Sequence, residues 1–168
     1  GSIHLKNPAL LKHCWHTRSL AVLQPYFCLT AGNASSINDG AAMLLVAGSG
    51  AVKHHGLNPV ARLVASATHS IAPNNFAEAP VEAIRKVVDK AGLDLHDIDL
   101  FEINEAFDAV PLVAINQIQI DPDKDNVNGG AVSNGHPNGA SGVGLAATLV
   151  RVLQQGEAPS AVASQCVG

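Results

Sequence analysis

The stretch from Gly129 to Gly142 (GGAVSNGHPNGASG) constrains the fold of this chain more than any other. Glycines at 129, 130, 135, 139 and 142 let the backbone turn through positive φ and let another group approach closely. His136, between Gly135 and Pro137, is presented from a sharp turn instead of packing on a helix face. Directly afterwards, Ser141–Gln155 carries Leu145, Leu149, Val152 and Leu153 at helical spacing and stops at Gly156. The chain must therefore set a close-approach loop at the start of a helix. A tight turn with a solvated histidine is the plain reading. A phosphate cradle is the other generic one, but no Gly-Lys-Ser/Thr ending is present, which argues against a P-loop.

The remaining pattern sorts into short apolar runs and helical stripes. Thr30–Gly40 is dense in small and turn-forming residues, a loop that some other group must approach. Ala41–Ala47 (AAMLLVA) is expected as a buried strand, residues 49–55 as a short helix ended by Gly56, and Val60–Thr68 as a second strand. Ile71–Ala79 is expected as a loop. A helix follows, with Pro80 at its first position, Val81, Ile84, Val87, Val88 and Ala91 on one stripe, and Gly92 as its stop. Ile98–Ile103 is expected as a strand, Ala106–Ile118 as a buried helix tolerating Pro111 in its first turn, and Ala161–Val167 as a last strand. Strands alternating with helices imply an α/β layered sheet.

With 47% apolar and 14% charged residues, the chain is a folded domain and not a disordered one. Its formal net charge of −4 gives no sign of a nucleic-acid or anionic-membrane surface. No apolar run reaches the roughly 18 residues of a membrane span, and no signal peptide is visible. Cys14, Cys28 and Cys166 have no framework spacing, which fits a reducing compartment. His13-Cys14-Trp15-His16 lacks a second ligand pair, so no metal site is expected, and His54-His55 is expected on a solvated helix end.

Three polar groups fall at strand ends or in adjoining loops: Asn104, His136 and Cys166. Ligands of α/β sheets gather beyond the carboxyl ends of strands, so these three can converge. A histidine there can act as a base or donate to a developing oxyanion. An asparagine can hold a water or a carbonyl, and a thiol with an ordinary pKa near ~8.5 can exchange protons. Each also has a plain structural role: a helix N-cap for Asn104 and a small buried hydrophobe for Cys166.

Four motifs in register resemble the C-terminal part of a thiolase. They are Asn33–Ala42 within AGNASSINDGAA, Asn104–Phe107 (NEAF), Asn126–Gly130 with Gly135–Gly142 (NVNGG…GHPNGASG), and Cys166-Val167-Gly168. The resemblance covers roughly residues 30–168. It implies a thiolase-like α/β/α fold with a mixed sheet, here its C-terminal half. It divides the chain into an unassigned segment 1–29, the end of an N-terminal domain at 30–58, and a C-terminal domain at 59–168 lacking its last strand.

The resemblance also implies acyl transfer between acyl-CoA and CoA, by thiolysis or Claisen condensation. CoA is then a substrate, with no tightly bound cofactor. By resemblance, His136 would activate a nucleophilic cysteine and help form a first oxyanion hole, and Asn104 would hold a water there. Cys166 would be the acid/base, and the Gly168 N–H would serve a second oxyanion hole. Ser35 would lie near the pantetheine arm, and Phe107 would wall the acyl pocket.

The departures are specific. No cysteine here has the small-residue context of the family's nucleophile. Asn134 and Asn138 replace apolar residues, and Phe76, Ala77 and Ala79 stand where Met and two Gly are frequent. The expectation is an acid/base half that is inactive alone. It would need an N-terminal thiolase half, form a homo-oligomer (dimer or tetramer) when complete, and reside in the cytoplasm or an organelle matrix. A non-catalytic CoA-binding or partner-binding module is the alternative. A condensing enzyme of fatty-acid synthesis is disfavoured by NEAF and the terminal C-x-G.

Overall fold

The structure is a computed structural model that describes residues 29–156 and 159–166. The expectations for His13–His16, Cys14, Cys28 and Gly168 lie outside the described residues. At the centre, β1 (Leu100–Ile103) pairs in parallel with β2 (Ala161–Ser164), from Leu100 opposite Ala161 to Ile103 opposite Ser164. Parallel strands cannot be joined by a tight turn. The long connection between them carries α3 (Ala109–Ile118), α4 (Ala131–Asn134) and α5 (Ser141–Gln154), and α5 packs on both strands.

The other edge of β1 is closed by Asp125, which bridges Phe101, and by Asn126. Asn126 donates from Nδ2 to the Ile103 carbonyl (2.9 Å) and accepts at Oδ1 from the Ile103 N–H (3.0 Å). Its own N–H reaches the Phe101 carbonyl at 2.9 Å. An amide can imitate a strand in this way because it carries both donor and acceptor.

The core lies between α2 (Ala79–Ala91), β1 and α3. Val81, Ile84 and Val88 of α2 meet Phe101 and Ile103 of β1 and Val110, Ala114 and Ile118 of α3 in one cluster. Ile84 and Ile103 are fully buried, each stabilising the fold by ~2–3 kcal/mol through removal of apolar surface from water. The α2 helix has Pro80 near its start, and Gly92 (φ 71°) closes it in the left-handed conformation that favours glycine. Gly56 (φ 59°) ends α1 (Ser49–His55) in the same way, and His54 and His55 are exposed there as expected.

Three expectations need correction. The helix read from Ala106 begins at Ala109, with Pro111 in its first turn. The cause is the preceding loop, whose backbone is used elsewhere. The Ala106 carbonyl accepts from the Ser35 N–H, Phe107 bridges Ala34, and the Asp108 N–H donates to the Asn33 carbonyl. Second, neither Ala41–Ala47 nor Val60–Thr68 is a strand. Neither finds a pairing partner among the described residues, and a strand without a neighbour does not form. Met43 is 92% exposed and Leu45 84%, so this apolar run is not part of the described core. Third, the expected loop before α2 contains a 3-10 segment, Pro73–Glu78.

Candidate active site

A short strap of chain ties the polar motifs together. At one end, Ala34 bridges Phe107, and Ser35 donates to the Ala106 carbonyl from both its N–H and its Oγ (each 3.3 Å). At the other end, Ile37 bridges His136. The His136 N–H is shared between the Ser36 carbonyl (3.0 Å) and Asn38 Oδ1 (3.2 Å), while the His136 carbonyl accepts from the Asn38 N–H. Gly135 is obligatory at this crossing. Its φ is 92°, and a Cβ there would fall 2.7 Å from Asn38 Cγ.

The strap fixes the backbone of His136, and α5 fixes its ring. Nδ1 lies 2.7 Å from Ser141 Oγ, which itself donates to the Pro137 carbonyl at 3.1 Å. A hydroxyl that gives its proton to Pro137 accepts from Nδ1–H, and this leaves Nε2 as the ring's basic atom. Ser141 is buried at the first position of α5, so the sequence that starts the helix also orients the imidazole.

Glu105 braces the same loop from below. Its Oε2 accepts the Val132 N–H in the first turn of α4 at 2.9 Å, where a helix N-terminus favours negative charge. Its carboxylate also occupies the space that a Cβ on Gly130 would fill. Asn134 adds a second brace, donating to the carbonyls of Gly129 (2.8 Å) and Asn128 (3.4 Å). The polar replacement at 134 therefore bonds its own loop.

Asn104 follows the carboxyl end of β1 and is 1% exposed. Its N–H continues the ladder to the Ser164 carbonyl at 2.9 Å, but its Nδ2 has no hydrogen-bond partner. It is not the N-cap of α3, a position that Asp108 holds. A buried amide donor left unpaired costs ~1–3 kcal/mol, which marks Asn104 as more than a packing residue. Cys166 lies two residues beyond β2 and is partly buried. Burial pushes its thiol pKa up, so at neutral pH it is the protonated group. The Gln165 side-chain oxygen lies 3.1 Å from where a Cβ on Gly142 would sit, so the end of β2 abuts the start of α5.

Phe107 meets Phe76 edge to face with ring centroids 5.8 Å apart. Phe76 and Cys166 both line a cavity of about 510 Å³. Phe76 thus links Phe107 to the cavity that Cys166 lines, whereas His136, Asn104 and Ser35 do not line it. Glu102 on β1, Asp108 at the start of α3 and Asp125, which bridges Phe101, carry raised carboxyl pKa values of about 7, 6 and 8. Burial is the larger cause in each case, and the Glu105 charge adds to it. The supporting roles of Ser141, Glu105, Asn38 and Asn126 were not deduced from the sequence, although each stands within a quoted motif.

Comparison with known proteins places this geometry in context. The sequence profile of the family described as thiolase, C-terminal domain, matches residues 57–168. The mitochondrial acetyl-CoA acetyltransferase of Macaca fascicularis is 46% identical over 140 residues, which are 83% of this chain and 32% of that protein. The crystal structure of the Bacillus anthracis acetyl-CoA acetyltransferase superposes with a TM-score of 0.81 at 40% identity, covering 84% of this chain and 36% of the other. Human mitochondrial 3-ketoacyl-CoA thiolase in complex with CoA gives a TM-score of 0.77 at 40% identity, with the same coverage. The thiolase-like α/β fold expected from the motifs is borne out. The chain spans about a third of the length of such relatives.

Proposed function

This chain belongs to the thiolase family, matching its C-terminal domain, and on that premise we propose that it carries the acid–base half of a thiolase site. The reaction is acyl transfer between acyl-CoA and CoA, and an N-terminal half supplies the nucleophilic thiol. The observation that carries this reading is the His136–Ser141 pair held by the 34–38 strap.

In this reading Nε2 of His136 takes the proton of the nucleophilic cysteine and then, as a donor, faces the thioester oxygen. The unpaired Nδ2 of Asn104 donates toward the same developing oxyanion, directly or through one water. Cys166, held protonated by burial, gives a proton to the leaving carbanion of the substrate; in the reverse direction its thiolate removes that proton. In thiolysis the Cys166 thiolate then takes the proton of the CoA thiol, and His136 returns its proton to the nucleophilic cysteine as CoA displaces the acyl group, so both return to their starting states after one turnover. The Gly168 N–H would serve a second oxyanion hole.

Ser35 lies where the strap meets the Ala106 carbonyl and would contact the pantetheine arm, while Phe107 would wall the acyl group. CoA is a substrate, and the complete protein would be a soluble homo-oligomer of the cytoplasm or an organelle matrix. The exposed apolar run 41–47 would belong to the preceding domain and pair with the N-terminal half. The test is a chimera in which residues 30–168 complete the N-terminal half of a related acetyl-CoA acetyltransferase. Its Cys166→Ala form should still become acylated by acetyl-CoA, which expels a thiolate and no carbanion, but turn over acetoacetyl-CoA at least about a hundredfold more slowly. Normal turnover removes Cys166 from the mechanism.

A further inference from the structure

The cavity beside Cys166 has a feature that the proposed chemistry does not use. Its walls include Ile71, Pro73, Phe76 and Ala79, which are apolar, but His69 and Ser70 add polar groups. One ring nitrogen of His69 is already engaged. The Lys86 ammonium lies 3.0 Å from its Nδ1. An ammonium has only donors, so Nδ1 must be the acceptor and the ring proton must sit on Nε2. The ring donor left for a ligand is therefore Nε2–H, on a histidine backed by a lysine cation.

The elements around this pair are ordered. Lys86 projects from α2, and Lys90, one turn further on, donates to the Ser66 carbonyl at 3.0 Å. The two lysines hold the segment 66–69 against the helix. Arg85, next to Lys86 in the chain, is already paired with Glu82 at 2.5 Å. At about 510 Å³ the cavity is of a size that takes a small organic ligand. A pocket of apolar walls with one backed donor fits an apolar chain that ends in a hydrogen-bond acceptor.

We propose that this cavity selects acyl groups ending in a carboxylate, which His69 Nε2–H receives with Lys86 behind it. The proposal rests on the acyl-transfer reading of the Cys166 site and narrows its substrate class to thioesters of dicarboxylic acids. A neutral acyl chain of equal length would fill the same apolar walls and leave the Nε2–H donor without a partner. Charge-assisted hydrogen bonds contribute ~1.5–3 kcal/mol, which corresponds to roughly tenfold or more in affinity.

The experiment titrates the whole chain with S-glutaryl-pantetheine and S-pentanoyl-pantetheine, following amide shifts by NMR. The wild type should bind the glutaryl ester about tenfold more tightly. His69→Ala should bring the ratio near one, and His69→Gln, which keeps a donor, should restore part of it. Lys90→Ala, which loosens the same segment without touching His69, should leave the ratio intact. A wild-type ratio near one, or a ratio that survives His69→Ala, overturns the proposal and leaves the acyl-transfer reading standing. Loss of the ratio in Lys90→Ala as well also overturns it, since the lysines would then be acting as clamps. Binding of neither ester overturns the proposal, while the acyl-transfer reading stands or falls with the turnover of the chimera.

Discussion

Substituting Gly130 by alanine probes the brace under the His136 loop. Gly130 has φ −99° and ψ −161°, extended backbone that alanine adopts freely, so any cost must come from the added methyl. That methyl would lie 2.6 Å from Glu105 Oε1 and closer still to the rest of the carboxylate. Glu105 can move, but moving it takes Oε2 away from the Val132 N–H. Losing a charge-assisted bond and leaving that N–H unmatched costs ~2–3 kcal/mol. Glu105→Ala alone loses the same bond and should cost a similar or smaller amount. With Glu105 removed, the three atoms nearest the added methyl are gone, and the reduced unfolded-state entropy makes Gly130→Ala neutral or stabilising by ~0.5 kcal/mol. The double-mutant cycle should therefore show a coupling of ~2–3 kcal/mol. Urea unfolding of the four proteins at pH 7.5, extrapolated linearly, measures it. Additivity within ~0.5 kcal/mol would refute the claim that Glu105 and the Gly130 backbone form one packed unit.

Other perturbations test neighbouring parts. Glu102, Asp108 and Asp125 have folded pKa values raised to about 7, 6 and 8, so folding favours their protonated forms. Their stabilising contribution is full below about pH 4 and is lost as pH rises through about 6 to 8; chemical denaturation should give ~1–3 kcal/mol less stability at pH 8.5 than at pH 5, and Glu102→Gln should flatten the slope. An unchanged slope in that variant would contradict the burial argument. Ser141→Ala should leave the fold intact but shift the His136 ring away from its Nδ1–H form, visible in imidazole nitrogen NMR; an unaltered spectrum would mean that Ser141 does not set the tautomer. Ile84→Ala removes a fully buried side chain between α2 and its neighbours and should cost ~3 kcal/mol in urea unfolding. A loss below ~1 kcal/mol would show that the site collapses around the missing group.

How much of this was legible in the sequence depends on where the determining interactions lie. The α2 helix could be read nearly to its ends because its signals are local: a proline at the start, an apolar stripe and a glycine past the last turn. The same holds for α5, and for β1 and β2, whose ends shortened by a residue or more. The start of α3 was misread because apolarity runs from Ala106 without a break, while the backbone of 106–108 is bonded to residues about 70 positions away. No local pattern encodes that strap. Ala41–Ala47 carries a strand's composition, but composition cannot supply a pairing partner. At the site, the residue types of His136, Asn104 and Cys166 drew attention at once. The tautomer of His136 did not, because it depends on Ser141, whose small hydroxyl looks like any helix-start serine. Glu105 was read as part of a motif, and its brace on Gly130 became visible only when the two were seen in contact.

The central claim is that this chain supplies the acid–base half of an acyl-transfer site. The most direct measurement is thiolysis of acetoacetyl-CoA by the chain alone and by the chimera completed with a related N-terminal half, each with His136→Ala and Cys166→Ala beside it. The account predicts no turnover by the chain alone and turnover by the chimera that falls at least about a hundredfold in either variant. Turnover by the chain alone, or a chimera indifferent to both substitutions, would contradict it.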